Sequence, residues 1–222
     1  MTEFSHSGIP EQRDRIDPST LPPADSVATV IVALGSDPGA ERLAAVLLLA
    51  WYLRAEPDEP TFESTLTDRL RSAATEPGVR QVHVCVVAGV IDDEAAAVWA
   101  LTRVAAVTDA FAADHTAPSC DEIAYRATLI TERAFTLPGA TTRPVTAQAA
   151  LAGARRALLA LQPRLRWRLI DIEPGIALID LVTEMAVPDA FSCNEILLRS
   201  GQRWAPTTVR SPAGPRVPGG NG

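Results

Sequence analysis

The first segment with chemical potential is Leu34-Gly35-Ser36-Asp37-Pro38-Gly39, which joins a β-branched run to a helix-like stretch. A dinucleotide site at such a turn needs backbone N–H groups free to approach a pyrophosphate, which is why its fingerprint is three glycines at GxGxxG spacing. This turn has two glycines at another spacing. Pro38 supplies no N–H, and Asp37 puts a carboxylate where the phosphate would lie. The acidic residue expected about 20 positions on, as the ribose ligand, falls at Glu56 or Asp58, inside the proline-broken stretch Ala55-Glu56-Pro57-Asp58-Glu59-Pro60. The turn therefore reads as a capped helix start, and no cofactor is expected.

Other reactive side chains read the same way. His83 and Cys85 lie two apart on a strand and share a face, while His115 and Cys120 share a loop, so a four-ligand metal set is conceivable. With no close CxxC or HxxxH pair, a core histidine and small buried thiols are the stronger reading, and no metal is expected. Asp114, His115 and Ser119 lack a nucleophile elbow and read as loop residues, so no catalytic residue is assigned. Arg155, Arg156, Arg164, Arg166 and Arg168 crowd one region; their planar forks suit carboxylates or phosphates, and local ion pairs or a solvated face are expected. Trp51, Trp99, Trp167 and Trp204 are expected to pack in the core or at an interface.

Composition narrows the classes further. All 20 basic residues among the 222 are Arg. Without Lys there is no phosphate-loop lysine, no Schiff base and no Tyr-x-x-x-Lys proton relay. A net charge of −7 argues against nucleic acid as a partner. The N-terminus lacks a basic region followed by an apolar stretch, and the apolar run Leu43 to Leu53 is too short for a membrane span. Cys85, Cys120 and Cys193 are odd in number and widely separated, so a reduced, cytoplasmic compartment is expected.

The elements that must position these residues alternate along the chain. Residues 1–25 and 211–222 are rich in Pro, Gly and polar residues and are expected to be flexible tails around one domain, 26–210. Within it, strands are predicted at Val27–Leu34, Gln81–Ala88, Ala127–Leu137 and Leu165–Ile172. Helices are predicted at Pro38–Arg54, Thr61–Ala74, Asp92–Ala113, Val145–Leu161 and Ile176–Val187. A hairpin, Glu195–Arg199 and Arg203–Arg210, turns at Ser200-Gly201. The fold expected is α/β: a truncated Rossmann-like, doubly wound, mostly parallel sheet with a C-terminal edge hairpin.

Three segments of the second half carry a resemblance. They are Pro144-Val145-Thr146-Ala147-Gln148-Ala149-Ala150-Leu151-Ala152-Gly153-Ala154-Arg155, then Gln162-Pro163-Arg164-Leu165-Arg166-Trp167-Arg168-Leu169-Ile170-Asp171-Ile172-Glu173-Pro174, and Asn194-Glu195-Ile196-Leu197-Leu198-Arg199-Ser200-Gly201-Gln202-Arg203-Trp204-Ala205-Pro206. In order and wording they resemble the "P-x-Q-x-A-L-x-G-x-x-R", "HPELRWRLIDLDP" and "DEVALRDGRRYVPRL" stretches of modular polyketide synthase ketoreductase domains. The sequence departs from the family at Gln162, where His is usual, and around residues 55–60, where the second strand is expected to be lost.

That resemblance implies a ketoreductase-like structural subdomain: the first, truncated Rossmann half, which binds no cofactor and precedes the catalytic half with its NADPH site. The expected function is non-catalytic, as scaffold or partner for a ketoreductase catalytic subdomain or neighbouring synthase chain, or through self-association. The alternatives are an independent nucleotide-binding oxidoreductase and a non-functional synthase fragment. Gln148, Leu151, Gly153, Leu158, Leu169 and Ile170 are expected to pack the fourth helix on the sheet, with Gly153 permitting a close approach. Ile196, Leu198 and Trp204 are expected to form the partner edge.

Overall fold

The computed structural model describes residues 26 to 205, apart from 36, 48, 57–59, 90, 92, 115–122, 138–142, 162–164 and 188–193. Both expected tails lie outside the described residues. Among the described residues, seven strands and five helices follow in the order β1 (Val27–Leu34), α1 (Pro38–Val46), β2 (Ala50–Ala55), α2 (Phe62–Thr75), β3 (Gln81–Ala88) and α3 (Glu94–Asp114). Then come β4 (Ala124–Glu132), α4 (Thr146–Leu161), β5 (Arg166–Ile172), α5 (Leu178–Ala186), β6 (Glu195–Arg199) and β7 (Gln202–Trp204).

The sheet order is β2-β1-β3-β4-β5-β6-β7, parallel throughout except for the antiparallel β6–β7 pair. The expected α/β class and edge hairpin are therefore what the chain forms. The usual doubly wound order, 3-2-1-4-5-6, carries two strands outside the first one; among the described residues there is one here. Because the chain turns back across β1 on its way from β2 to β3, the topological switch point lies between β1 and β3.

Alternation along buried strands divides the core. On one face Val30, Val32, Val84, Leu129 and Leu169 meet α2, α3 and α4 through residues such as Leu66, Val104 and Leu151. On the other Ile31, Cys85, Ile130, Ile170, Ile196 and Leu198 meet α1 and α5 through Leu43, Leu181 and Met185. Strands buried on both faces need apolar side chains at successive positions, which is why β1 and β3 read as unbroken runs.

Three expectations are corrected. The first helix does not run to Arg54: Leu47 is already extended, at φ −91° and ψ 136°, and Ala50–Ala55 pairs with β1 from Thr29 to Leu34. The second strand is thus present, just before the stretch where it seemed lost. A short apolar run fits helix and strand equally by pattern, and only the free edge of β1 decides it. The third strand predicted at Ala127–Leu137 is β4, which starts earlier and stops at Glu132, because Arg133 turns into the left-handed region at φ 57°. The last strand ends at Trp204, and the rest of its predicted range, 206–210, lies outside the described residues.

Candidate functional site

The crevice outside the C-terminal ends of β1, β3 and β4 is where an open α/β sheet binds ligands. Here it is a cavity of about 90 Å³, lined by Asp37, Pro38, Ala88, Gly89, Thr131 and Glu132 among others. β1 delivers the chain to Gly35, at φ 82°, and then to Asp37 as the N-cap of α1. Asp37 Oδ1 accepts from the amides of Gly39 at 2.6 Å and Ala40 at 3.2 Å, with Pro38 at the first helical position. The carboxylate thereby takes the donors that a helix N-terminus offers to an anion.

Two glycines make room for it. A Cβ on Gly39 would stand 2.9 Å from Asp37 Oδ1, and one on Gly89 would stand 3.1 Å from Oδ2 and 3.3 Å from the aspartate's own Cβ. Across the crevice lies Glu132, whose carboxyl is raised above its ordinary range chiefly by burial, then by the charges of Asp37 and Asp171 against the opposing pull of Arg133 and Arg199. Gln148, 1% exposed, ties this region together. Its amide donates to the carbonyls of Gly89 at 2.6 Å and Ala88 at 3.4 Å, and its Oε1 accepts from the amide of Glu132 at 3.3 Å.

A second polar system lies behind the crevice. Asp171, fully buried at the end of β5, accepts from Thr131 Oγ1 at 2.8 Å and from the amides of Ala134 at 2.8 Å and Phe135 at 3.2 Å, and pairs with Arg199 of β6. Those two amides reach it because the chain reverses at Arg133. Arg168 of β5 pairs with Glu184 of α5 and donates to its carbonyl at 2.7 Å; Arg203 of β7 reaches the same carboxylate at 3.0 Å. Arg155 of α4 pairs with Glu195 of β6 and donates to the carbonyl of Trp167 at 3.1 Å. The arginine crowding is thus resolved at Arg155 and Arg168 as buried ion pairs, while Arg166 is exposed.

The other sequence candidates separate. His83 and Cys85 do share a face, both buried, and the imidazole Nε2 is 2.8 Å from Thr128 Oγ1. Burial, reinforced by Arg126 and Arg168, holds His83 well below its usual range, and burial pushes the Cys85 thiol up to about 12. His115, Ser119, Cys120 and Cys193 lie outside the described residues, and among the described ones no group of three or more His, Cys, Asp or Glu is placed to hold a metal.

Of the helix set, Leu151 is in the core against the sheet, with Leu169 on the same face; Ile170 faces the opposite layer, toward α5. Gly153 does not mark a close approach: it is exposed, and a Cβ there would meet nothing within 4 Å. The side chain of Leu158 lies outside the described residues. Ile196 and Leu198 sit in the core, and Trp204 is half-buried at the edge. Sequence reasoning found Asp37 but missed Glu132, which nothing in its local pattern marks, and the partners Glu184 and Glu195, which are distant in sequence from their arginines.

No protein-family model and no curated protein matches the sequence. Among solved structures, a C2-type ketoreductase from a modular polyketide synthase aligns with a TM-score of 0.57 and 20% identity, over 82% of this chain and 43% of that one. A short-chain dehydrogenase/reductase from Brucella ovis aligns with a TM-score of 0.48 and 13% identity, over 78% and 100%. The chain thus has the Rossmann-like fold of a ketoreductase and spans less than half of that ketoreductase's length.

Proposed function

We propose that this chain is a ketoreductase-like structural unit with no cofactor site or catalytic set of its own, acting as scaffold for a ketoreductase catalytic chain in polyketide or lipid assembly. The observation that carries this reading is the carboxylate of Asp37 on the α1 amides, facing Glu132 across a 90 Å³ crevice. A pyrophosphate there would meet two acidic side chains and no free N–H at the helix start. Small-molecule sites usually occupy roughly 300 Å³ or more.

Further support comes from the residues that carry the ketoreductase resemblance. Arg155 pairs with Glu195, Arg199 with Asp171 and Arg168 with Glu184, while Gln148 ties α4 to the ends of β3 and β4. Their task in this chain is to hold α4 on β3, β4 and β6, β5 on β6 and α5 on β5, which is a structural signature rather than a chemical one. The test has two arms. Calorimetric titration with NADPH is expected to give no binding, and sedimentation with a ketoreductase catalytic chain is expected to give a complex. Micromolar NADPH binding would favour a nucleotide-dependent oxidoreductase instead, and no complex would remove the scaffold role.

A further inference from the structure

The outer edge of β2 presents an unused row of backbone groups. The amide of Thr29 donates to the Leu49 carbonyl at 2.8 Å and that of Gly35 to the Ala55 carbonyl at 3.2 Å, with Thr29 opposite Ala50 and Leu34 opposite Ala55. In a parallel ladder this alternation turns the N–H and C=O groups of Trp51, Leu53 and Ala55 toward β1. Those of Ala50, Tyr52 and Arg54 therefore point away from the sheet. Among the described residues no strand pairs on that side.

Natural sheets guard such an edge with proline, lysine, a bulge or an inward charge. Ala50-Trp51-Tyr52-Leu53-Arg54-Ala55 has none of the first three, and its one charge, Arg54, points outward and is held at 2.5 Å by Glu56. We propose that β2 pairs antiparallel with β2 of a second copy of this chain, about a two-fold axis through Tyr52, joining two sheets into one.

The second copy is the occupant that the strand itself specifies. The outward groups at 50, 52 and 54 are symmetric about Tyr52, so the row is complementary to its own reverse. In that register Tyr52 lies opposite its counterpart, and Arg54 lies opposite Ala50, leaving no like charges directly opposed. Trp51 falls opposite Leu53 on the α2 face, where both contact the same apolar layer. Tyr52 lies on the α1 face, and its buried Oη has no hydrogen-bond partner within one chain. Strands alone fall short of the roughly 1,000 Å² of a specific interface, so α1 and α2, which flank β2, meet their counterparts as well. Val46, 54% exposed at the end of α1, is available there.

The inference stands apart from the scaffold reading, since it concerns the opposite edge of the sheet from β7. Sedimentation equilibrium of the full chain over a concentration series should give twice its 23.6 kDa. Tyr52→Pro removes only an outward N–H, so β1–β2 pairing survives, and Tyr52→Lys sets two like charges opposite each other. Both variants should sediment as monomers with unchanged circular dichroism, and if the proline variant fails to fold, the lysine variant decides. In the wild type, amide exchange at Ala50 and Arg54 should be slow, and in Tyr52→Lys it should become fast. A wild-type chain that stays monomeric throughout overturns the proposal, as does a folded lysine variant that remains dimeric with those amides still protected.

Discussion

His83 shows how one buried side chain sets a pH response. Its imidazole is held neutral by burial and by the nearby Arg126 and Arg168, while in the unfolded chain it takes a proton near its ordinary value of 6.5. Below that value the unfolded state binds the extra proton and the folded state does not, so stability present at neutral pH is lost on acidification. Urea unfolding at pH 7.5 and 5.5 should show a smaller loss in a His83→Leu, Thr128→Val double variant, where no imidazole is left at that buried position. Glu132 acts in the opposite sense: its raised carboxyl makes the fold bind more protons than the unfolded chain above 4.5, so rising pH through that window costs stability. Gly153 gives a simpler outcome. It sits in α4, exposed and with open space where a Cβ would be, so Gly153→Ala should raise stability by about 0.5–1 kcal/mol, read as a higher urea midpoint.

At the scale of elements, four ion pairs lock the C-terminal half. Arg168–Glu184 joins β5 to α5, Arg203 adds β7 to the same carboxylate, Arg155–Glu195 joins α4 to β6, and Arg199–Asp171 joins β6 to β5. β6 and β7 are short, and their pairing alone would hold weakly. A buried pair contributes little over an apolar replacement, but a lone buried charge is costly. Glu184→Gln leaves two guanidinium groups without their carboxylate and should cost about 3–5 kcal/mol in chemical denaturation. Glu184→Leu combined with Arg168→Met and Arg203→Leu should recover most of that loss. A single substitution as harmless as the triple would show that the pairs do not lock the elements.

Over the whole molecule, the sheet has two different ends. At one end β7 is short, half-covered, and tied by Arg203 to α5. At the other, β2 stands where the usual doubly wound sheet continues with another strand, and among the described residues nothing pairs with its outward groups. Between them lies the switch point, the place where this architecture holds its ligand, with Asp37 at its wall and Gln148 bracing it.

The sequence by itself determined the alternating α/β plan, the buried runs of β1 and β3, the Asp37-Pro38 helix start and the Ser200-Gly201 turn, whose residues take φ of 49° and 72°. Each rests on local physics: side-chain period, a capping carboxylate, a turn that needs positive φ. Only the tertiary structure decided that Ala50–Ala55 is a strand, because its conformation depends on the hydrogen bonds of β1. It alone decided that Gly153 is an open position and that Glu132 faces Asp37. Pairings such as Arg155 with Glu195, 40 residues apart, are likewise invisible in sequence. A charge's partner is set by where folding brings the chain back, and no local spacing records that.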